Sequence, residues 1–309
     1  MPPGAGHART ILHVRMLGGL GNQLFQYAAG LAAARRWGAE LALDLTSGDR
    51  GSARHPRRFM LDAFGIAAPH YAPDGMERLL WKLRTSRAPR LRRLVSLARA
   101  DRSVTHFDEL RVHSADRRLD GPPPRGVVSM VGYRQCAAYA AACEDVLRQE
   151  LTFRHPPDGA NTSMLDRIRG EPAAVSVHIR RGDYLQLSGS PVLDPAYYRD
   201  AVRAIAARVA NPRFFVFSDT PAWAREALPL DHPTVIVDGN GEDAAVEDLR
   251  LMAACRHHII ANSSFSWWAP WLAPPADRIV VAPKYWMMTP DTHYPELFPP
   301  SWTILENLS

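Results

Sequence analysis

A chain of 309 residues, 46% hydrophobic and 22% charged, can bury one large core or two ordinary ones without disulfide staples. Its three cysteines, Cys136, Cys143 and Cys255, are too few and too scattered for a disulfide framework or a CxxC metal site, so buried thiols in a reducing cytosol are expected. The net charge of +5 hides a split: residues 1–155 carry 24 Lys and Arg against 14 Asp and Glu, and residues 156–309 carry 13 against 18, which suggests halves with different partners.

The start, "MPPGAGHARTILHVRM", lacks the basic-then-apolar pattern of a signal peptide, and no apolar run approaches the ~20 residues that span a bilayer. A cytoplasmic protein is expected. Only Lys82 and Lys284 of the 37 basic residues are lysines, a bias that reads as genomic, and no nucleic-acid partner is inferred from it.

In chain order, "RTILHVRML" reads as a strand to Leu17 and "GGLGNQ" as a glycine loop. A helix follows from about Gln23 to Trp37, stopped by Gly38, and then a strand to Leu45. Residues 78–102 hold nine basic side chains and one acid, and read as two short helices split at Ala88-Pro89. "GVVSMVGY" is a strand and 136–151 a helix; "FRHPPDGANTS", 153–163, looks like a linker. The rest alternates: strand 173–180, helix from Pro195, strand "RFFVFSD", helix "PAWAREAL", strand "TVIVDG", helix "EDAAVEDLRLMAAC", strand "HHIIANSS", helix "FSWWAPWLA" and a last strand "RIVVAP". Such alternation predicts a parallel doubly wound sheet, whose ligands bind beyond the carboxyl ends of its strands. Those ends carry Arg180 with Asp183, Ser218 with Asp219, Asp238, and Asn262 with Ser263.

Strand 173–180 alternates as if one face were buried, with His178 and Arg180 on the same face and Arg181 turned away unless Gly182 bends the chain. Planar guanidinium groups grip phosphate oxygens bidentately, so Arg180 and Arg181 suit a diphosphate; a surface ion pair with Asp183 is the plain alternative. No Asp-any-Asp triplet occurs, so the common metal motif of sugar-nucleotide enzymes is missing and no metal is expected. His257 and His258 read as packing or surface residues, and Trp267, Trp268 and Trp271 as core. The loop at 18–23 opens a helix and can admit an anion, but Leu24 stands where a GxGxxG motif needs its third glycine. Asp44 lies roughly where a ribose-binding acid would, so a dinucleotide site stays open as an alternative.

Taken together, "GGLGNQLFQYAAG", "YRQCAAY", "VHIRRGDYL", "FVFSDTPAW" and "DLRLMAACRHHIIANSSFSWWAPWLA" closely resemble the α-1,2-fucosyltransferase family, within the wider HxRRxD superfamily. The resemblance is weakest over 50–125. It departs at Pro270, where a small residue is usual, and at Cys136, where serine is common. It implies an α/β, GT-B-like fold with two Rossmann-like domains facing a cleft: residues 1–158 on the acceptor side, residues 159–309 binding GDP-fucose. It implies metal-independent, inverting transfer of L-fucose to the 2-hydroxyl of a galactose-terminated oligosaccharide or lipid-linked glycan. Carried over, His178, Arg180 and Asp183 are the catalytic candidates. Arg181, Gly19, Gly21, Asn22, Gln23, Ser218, Asp219, Asn262, Ser263, Ser264 and Phe265 are the donor-binding candidates. Asp183 is the first candidate for a general base and Asp219 the second. An NAD(P)-dependent oxidoreductase and a non-catalytic carbohydrate-binding protein are the competing readings. The basic, Leu-rich stretch 78–102 could also hold the protein peripherally on an anionic inner-membrane surface, or be an ordinary solvated helix pair.

Overall fold

The computed structural model describes residues 10–46, 58–71, 75, 104–185, 192–228, 230–287 and 294–307; the basic stretch 78–102 lies outside them. The polypeptide divides into two compact units, residues 1–61 with 66–147, and residues 62–65 with 148–309. The stretch 148–158 therefore belongs with the second unit.

The first unit holds a five-stranded parallel sheet. Its strands are β1 (Ile11–Arg15), β2 (Glu40–Asp44), β3 (His70–Tyr71), β4 (Val104–Asp108) and β5 (Val127–Val131), in the order β3-β2-β1-β5-β4. The short β3 and β4 are not apparent from the sequence pattern. Helix α1 (Leu20–Trp37) connects β1 to β2 and is buried along most of its length. At Gly30 it lies so close to the sheet that a Cβ would fall 2.5 Å from Val14 Cγ2. It ends at Gly38, whose φ of 61° places it in the left-handed region where glycine costs least. Arg35 and Arg36 in its last turn complement the negative helix end. The helix expected over 136–151 is two helices, α2 (Ala137–Ala142) and α3 (Glu144–Glu150), broken at Cys143, whose thiol points to the Ala28 and Tyr139 carbonyls.

The second unit holds a six-stranded parallel sheet: β6 (Ala174–Ile179), β7 (Arg213–Ser218), β8 (Thr234–Val237), β9 (His257–Ile259), β10 (Val280–Pro283) and β11 (Thr303–Leu305). The order is β11-β10-β9-β6-β7-β8, so the chain reverses direction across the sheet between β6 and β9. The expected last strand, "RIVVAP", is followed by β11, which adds to the sheet beside it. The linker expected over 153–163 is half helix: α4 (Gly159–Arg169) starts there. Asp158 accepts the Asn161 N–H at 2.9 Å as its N-cap, so the prolines and the aspartate mark a helix start rather than a tether. Helices α5 (Pro195–Ala206), α6 (Pro221–Ala227), α7 (Ala245–Ala254) and α8 (Ser264–Leu272) complete the unit, with Asp194 capping α5 and Pro195 at its first position.

Strand β6 does not have the one-sided burial that its alternation suggests: all six residues are buried. It is central, flanked by β7 and β9, and a parallel strand covered on both faces hides its polar residues too. Val175, Val177 and Ile179 join the core beneath α5 with Tyr198, Val202 and Ile205. On the other face Ser176 Oγ meets His258 Nδ1 at 2.8 Å, and the His178 ring stands 5.5 Å from that of Phe265 in α8. His257 accepts the Ile279 N–H at 3.0 Å, so both histidines of the 257–258 pair serve packing. Trp267 and Trp268 are core, whereas Trp271, also expected there, is only half-buried and carries the Arg148 guanidinium 4.3 Å over its ring; all three cysteines are buried and none is in a disulfide.

Candidate functional site

The polar residues of the second unit collect where β6 and β9 diverge. Chain reversal there opens a crevice that flanking strands cannot fill, the usual ligand position of an open parallel sheet. Arg180 leaves the end of β6 with its side chain 25% exposed. Its Nη2 meets Asp183 Oδ2 at 2.9 Å and its Nε meets Asp219 Oδ2 at 3.3 Å. Burial opposes its charge, but Asp183 and Asp219 together lift its pKa above the ordinary arginine value. The two carboxylates hold the fork by its Nη2 and Nε positions and so fix the plane of the guanidinium.

Asp219, at the end of β7, does more than pair with Arg180. Its Oδ1 accepts the Arg181 N–H at 3.0 Å and its Oδ2 accepts the Gly182 N–H at 3.0 Å. One carboxylate thus clamps the backbone turn that follows β6. A Cβ on Gly182 would sit 3.1 Å from Asp219 Oδ2, which explains the glycine by close approach. The two arginines diverge: the Arg181 guanidinium lies 4.6 Å over the Trp223 ring of α6, while Arg180 lies 5.8 Å from the Tyr184 ring centre.

Tyr184 joins this turn to the next motif. Its hydroxyl donates to the Asn262 carbonyl at 3.0 Å, and the Ser263 hydroxyl hydrogen-bonds to it. Asn262 Nδ2 donates to the Trp286 carbonyl at 3.2 Å, and Ser263 stands as the N-cap of α8, with Ser264 and Phe265 in the first turn. The positive end of α8 therefore opens into the same crevice as Arg180. His178 is buried beneath; burial first, and the Arg180 charge second, push its imidazole down to about 3, so it is neutral. Its Nδ1 has no hydrogen-bond partner among the described residues. Ser218 instead closes a local turn, accepting the Thr220 N–H at 3.0 Å, and Asp238 is exposed and paired with Arg225.

Tyr184 and Trp223 are functional positions that motif reading passes over, although both lie inside quoted stretches, "VHIRRGDYL" and "SDTPAW". Only the fold shows that they carry the arginines. A further polar group stands past β8. Asn240 donates to Asp248 Oδ1 at 2.8 Å and exchanges bonds with Asn161, and burial pushes the Asp248 carboxyl up to about 6.

In the first unit the glycine loop opens α1 at the end of β1. Gly18 has φ 72°, Gly19 is the N-cap, and Gly21 is buried in the first turn. Gln23 is tied to the chain: its Nε2 donates to the Gly18 and Arg58 carbonyls at 2.9 and 2.8 Å, and its Oε1 accepts the Met60 N–H at 2.9 Å. It holds the loop in shape. Asn22 Oδ1 accepts from Gln135 Nε2 at 2.7 Å. Asp44 is buried, with Oδ2 2.6 Å from Arg15 Nη2 and Oδ1 accepting the Thr46 N–H at 2.9 Å.

The model of glycosyl transferase family 11 matches residues 112–306. An alpha-1,2-colitosyltransferase of Escherichia coli is 30% identical over 96% of this chain and 99% of its own length. A galactoside alpha-(1,2)-fucosyltransferase 1 of Saimiri sciureus is 30% identical over 66% of this chain, though over only 57% of that longer protein. Among solved structures, the fucosyltransferase NodZ from Bradyrhizobium, also studied after soaking with GDP-fucose, superposes with a TM-score of 0.50 at 17% identity, over 86% of this chain and 94% of NodZ in the first of these structures. That likeness concerns the fold. With a family model that spans both the end of the first sheet and the whole of the second, the chain belongs to glycosyl transferase family 11.

Proposed function

We propose that the protein transfers L-fucose from GDP-fucose to the 2-hydroxyl of a galactoside, with inversion and without a metal ion. The observation that carries this reading is Arg180, held by Asp183 and Asp219 at the crevice between β6 and β9 with its side chain 25% exposed. In the transfer the bond from the anomeric carbon to the diphosphate oxygen breaks, GDP keeps the electron pair, and the acceptor oxygen bonds to the opposite face. Negative charge grows on the diphosphate, where the Arg180 guanidinium and the N-terminus of α8 stabilise it without reorganising. Both acids that could remove the acceptor proton already pair with Arg180. The chemistry that suits them is therefore a dissociative transfer, in which bond breaking leads, the hydroxyl needs little base help, and its proton is lost late to the departing diphosphate oxygen or to water.

The names of the relatives support the donor and the linkage, and the E. coli relative favours a second donor sugar. Colitose is fucose without its 3-hydroxyl, so a site for one can be tuned to the other by few contacts. Against a dinucleotide stands Asp44, whose oxygens are engaged by Arg15 and Thr46. Calorimetry with GDP and with NAD is the deciding experiment, followed by linkage analysis of the product made from GDP-fucose and a galactoside. Binding of NAD but not GDP would overturn the reading. Among the described residues no helix is long and apolar enough to cross a membrane. Peripheral contact through residues 78–102 is tested by sedimentation with anionic vesicles at low salt, where protein left in the supernatant refutes it.

A further inference from the structure

The first sheet reverses its strand order between β1 and β5, which makes a second crevice of the kind that takes ligands. The loop leaving β5 there, Gly132 to Gln135, is anchored on every side of one residue. The Glu109 carboxylate accepts the Tyr133 N–H at 2.8 Å and the Arg134 N–H at 2.9 Å. Arg134 holds a φ of 54°, which non-glycine residues avoid, and its guanidinium is buried against Asp116 at 2.6 Å and the Phe107 carbonyl. Gln135 is bonded to Asn22. Only the Tyr133 side chain is left outside, 43% exposed. Its ring leans on the glycine loop: a Cβ on Gly18 would lie 3.3 Å from Tyr133 Cε1 and 2.6 Å from Asn22 Nδ2. Backbone strain persists where surrounding structure over-determines it, and here it steadies a phenol ring at the crevice instead of in the core.

The chemical class of the ligand follows from the neighbours. Arg15 and Arg134 turn inward to Asp44 and Asp116, so neither serves a phosphate at this crevice. An aromatic face beside side-chain amides suits the apolar CH face and the hydroxyls of a neutral pyranose. We propose that Tyr133 is the floor of a sugar subsite on the first unit, which takes the galactoside acceptor; the choice of galactoside rests on the function proposed above.

The test uses the full chain and methyl β-galactoside as the probe. Saturation-transfer NMR should show contact to the sugar ring in wild-type protein and in Tyr133→Phe, and none in Tyr133→Ala. With GDP-fucose present, Tyr133→Ala should raise the galactoside KM roughly three- to tenfold, with GDP affinity and the unfolding midpoint unchanged. Wild-type behaviour of Tyr133→Ala overturns the inference. So does absence of saturation transfer from the wild-type protein to the sugar, or a parallel loss of GDP affinity, which would assign the ring to the donor. Wild-type protein that binds no GDP but shows Tyr133-dependent transfer refutes the donor reading and supports this one.

Discussion

Replacing Asp219 by asparagine separates a clamp from a base. In the native turn one carboxylate accepts two backbone N–H groups at 3.0 Å and meets Arg180 Nε at 3.3 Å. The amide keeps one acceptor oxygen but presents an N–H₂ donor to a second donor, so at least one charge-assisted bond is lost. Hydrogen bonds to charged groups contribute about 1.5–3 kcal/mol each, and the side chain is only 17% exposed, so screening is limited. A loss of about 2 kcal/mol in stability is expected, or roughly 3 °C in Tm for a chain of this size. Release of Arg180 and of the turn should weaken GDP binding about 10- to 100-fold. Calorimetry with GDP and thermal unfolding measure both. If Asp219→Asn keeps its Tm and GDP affinity and loses only kcat, the clamp argument is wrong and Asp219 is the base.

Arg180→Lys should lose about 10²–10³ in turnover, because a point charge cannot span the positions that the planar fork holds; near-normal turnover and GDP affinity would remove Arg180 from the mechanism. Turnover should survive EDTA, since the chain has no Asp-any-Asp triplet; loss in chelator restored by Mn²⁺ or Mg²⁺ would refute this. Acid should destabilise the fold early. Burial lowers His178 to about 3 and His113 to about 4, and lowers His257 and His258 as well, so the unfolded chain takes up protons first as pH falls below about 6.5. Each buried imidazole then costs up to about 1.4 kcal/mol per pH unit. Asp248, raised to about 6, works in the opposite direction but is outnumbered. Denaturant melts at pH 7 and pH 5 should differ by more than about 2 kcal/mol, and equal stabilities would contradict neutral burial of the histidines.

Local pattern was enough for the alternation of strands and helices, the Gly38 stop, the buried tryptophans and the position of the charged groups at the carboxyl ends of the second sheet. Each depends on residues near in sequence, where period, caps and turn chemistry act directly. Pattern misled where an element is short or wholly enclosed. The two-residue β3 has no period to detect, and β6 reads as half-buried because Ser176 and His178 alternate with valines, although the sheet covers both faces. The motif "HIRRGD" announced a charged site but not its internal order. That Asp219 clamps the turn after β6, that Arg181 rests on Trp223 while Arg180 turns to Asp183, and that an anchored loop lifts Tyr133 over Gly18 all follow from strand order. Those partners are brought together by crossovers and parallel pairing between segments far apart in the chain, and the free energy of such contacts is written in no single stretch of it.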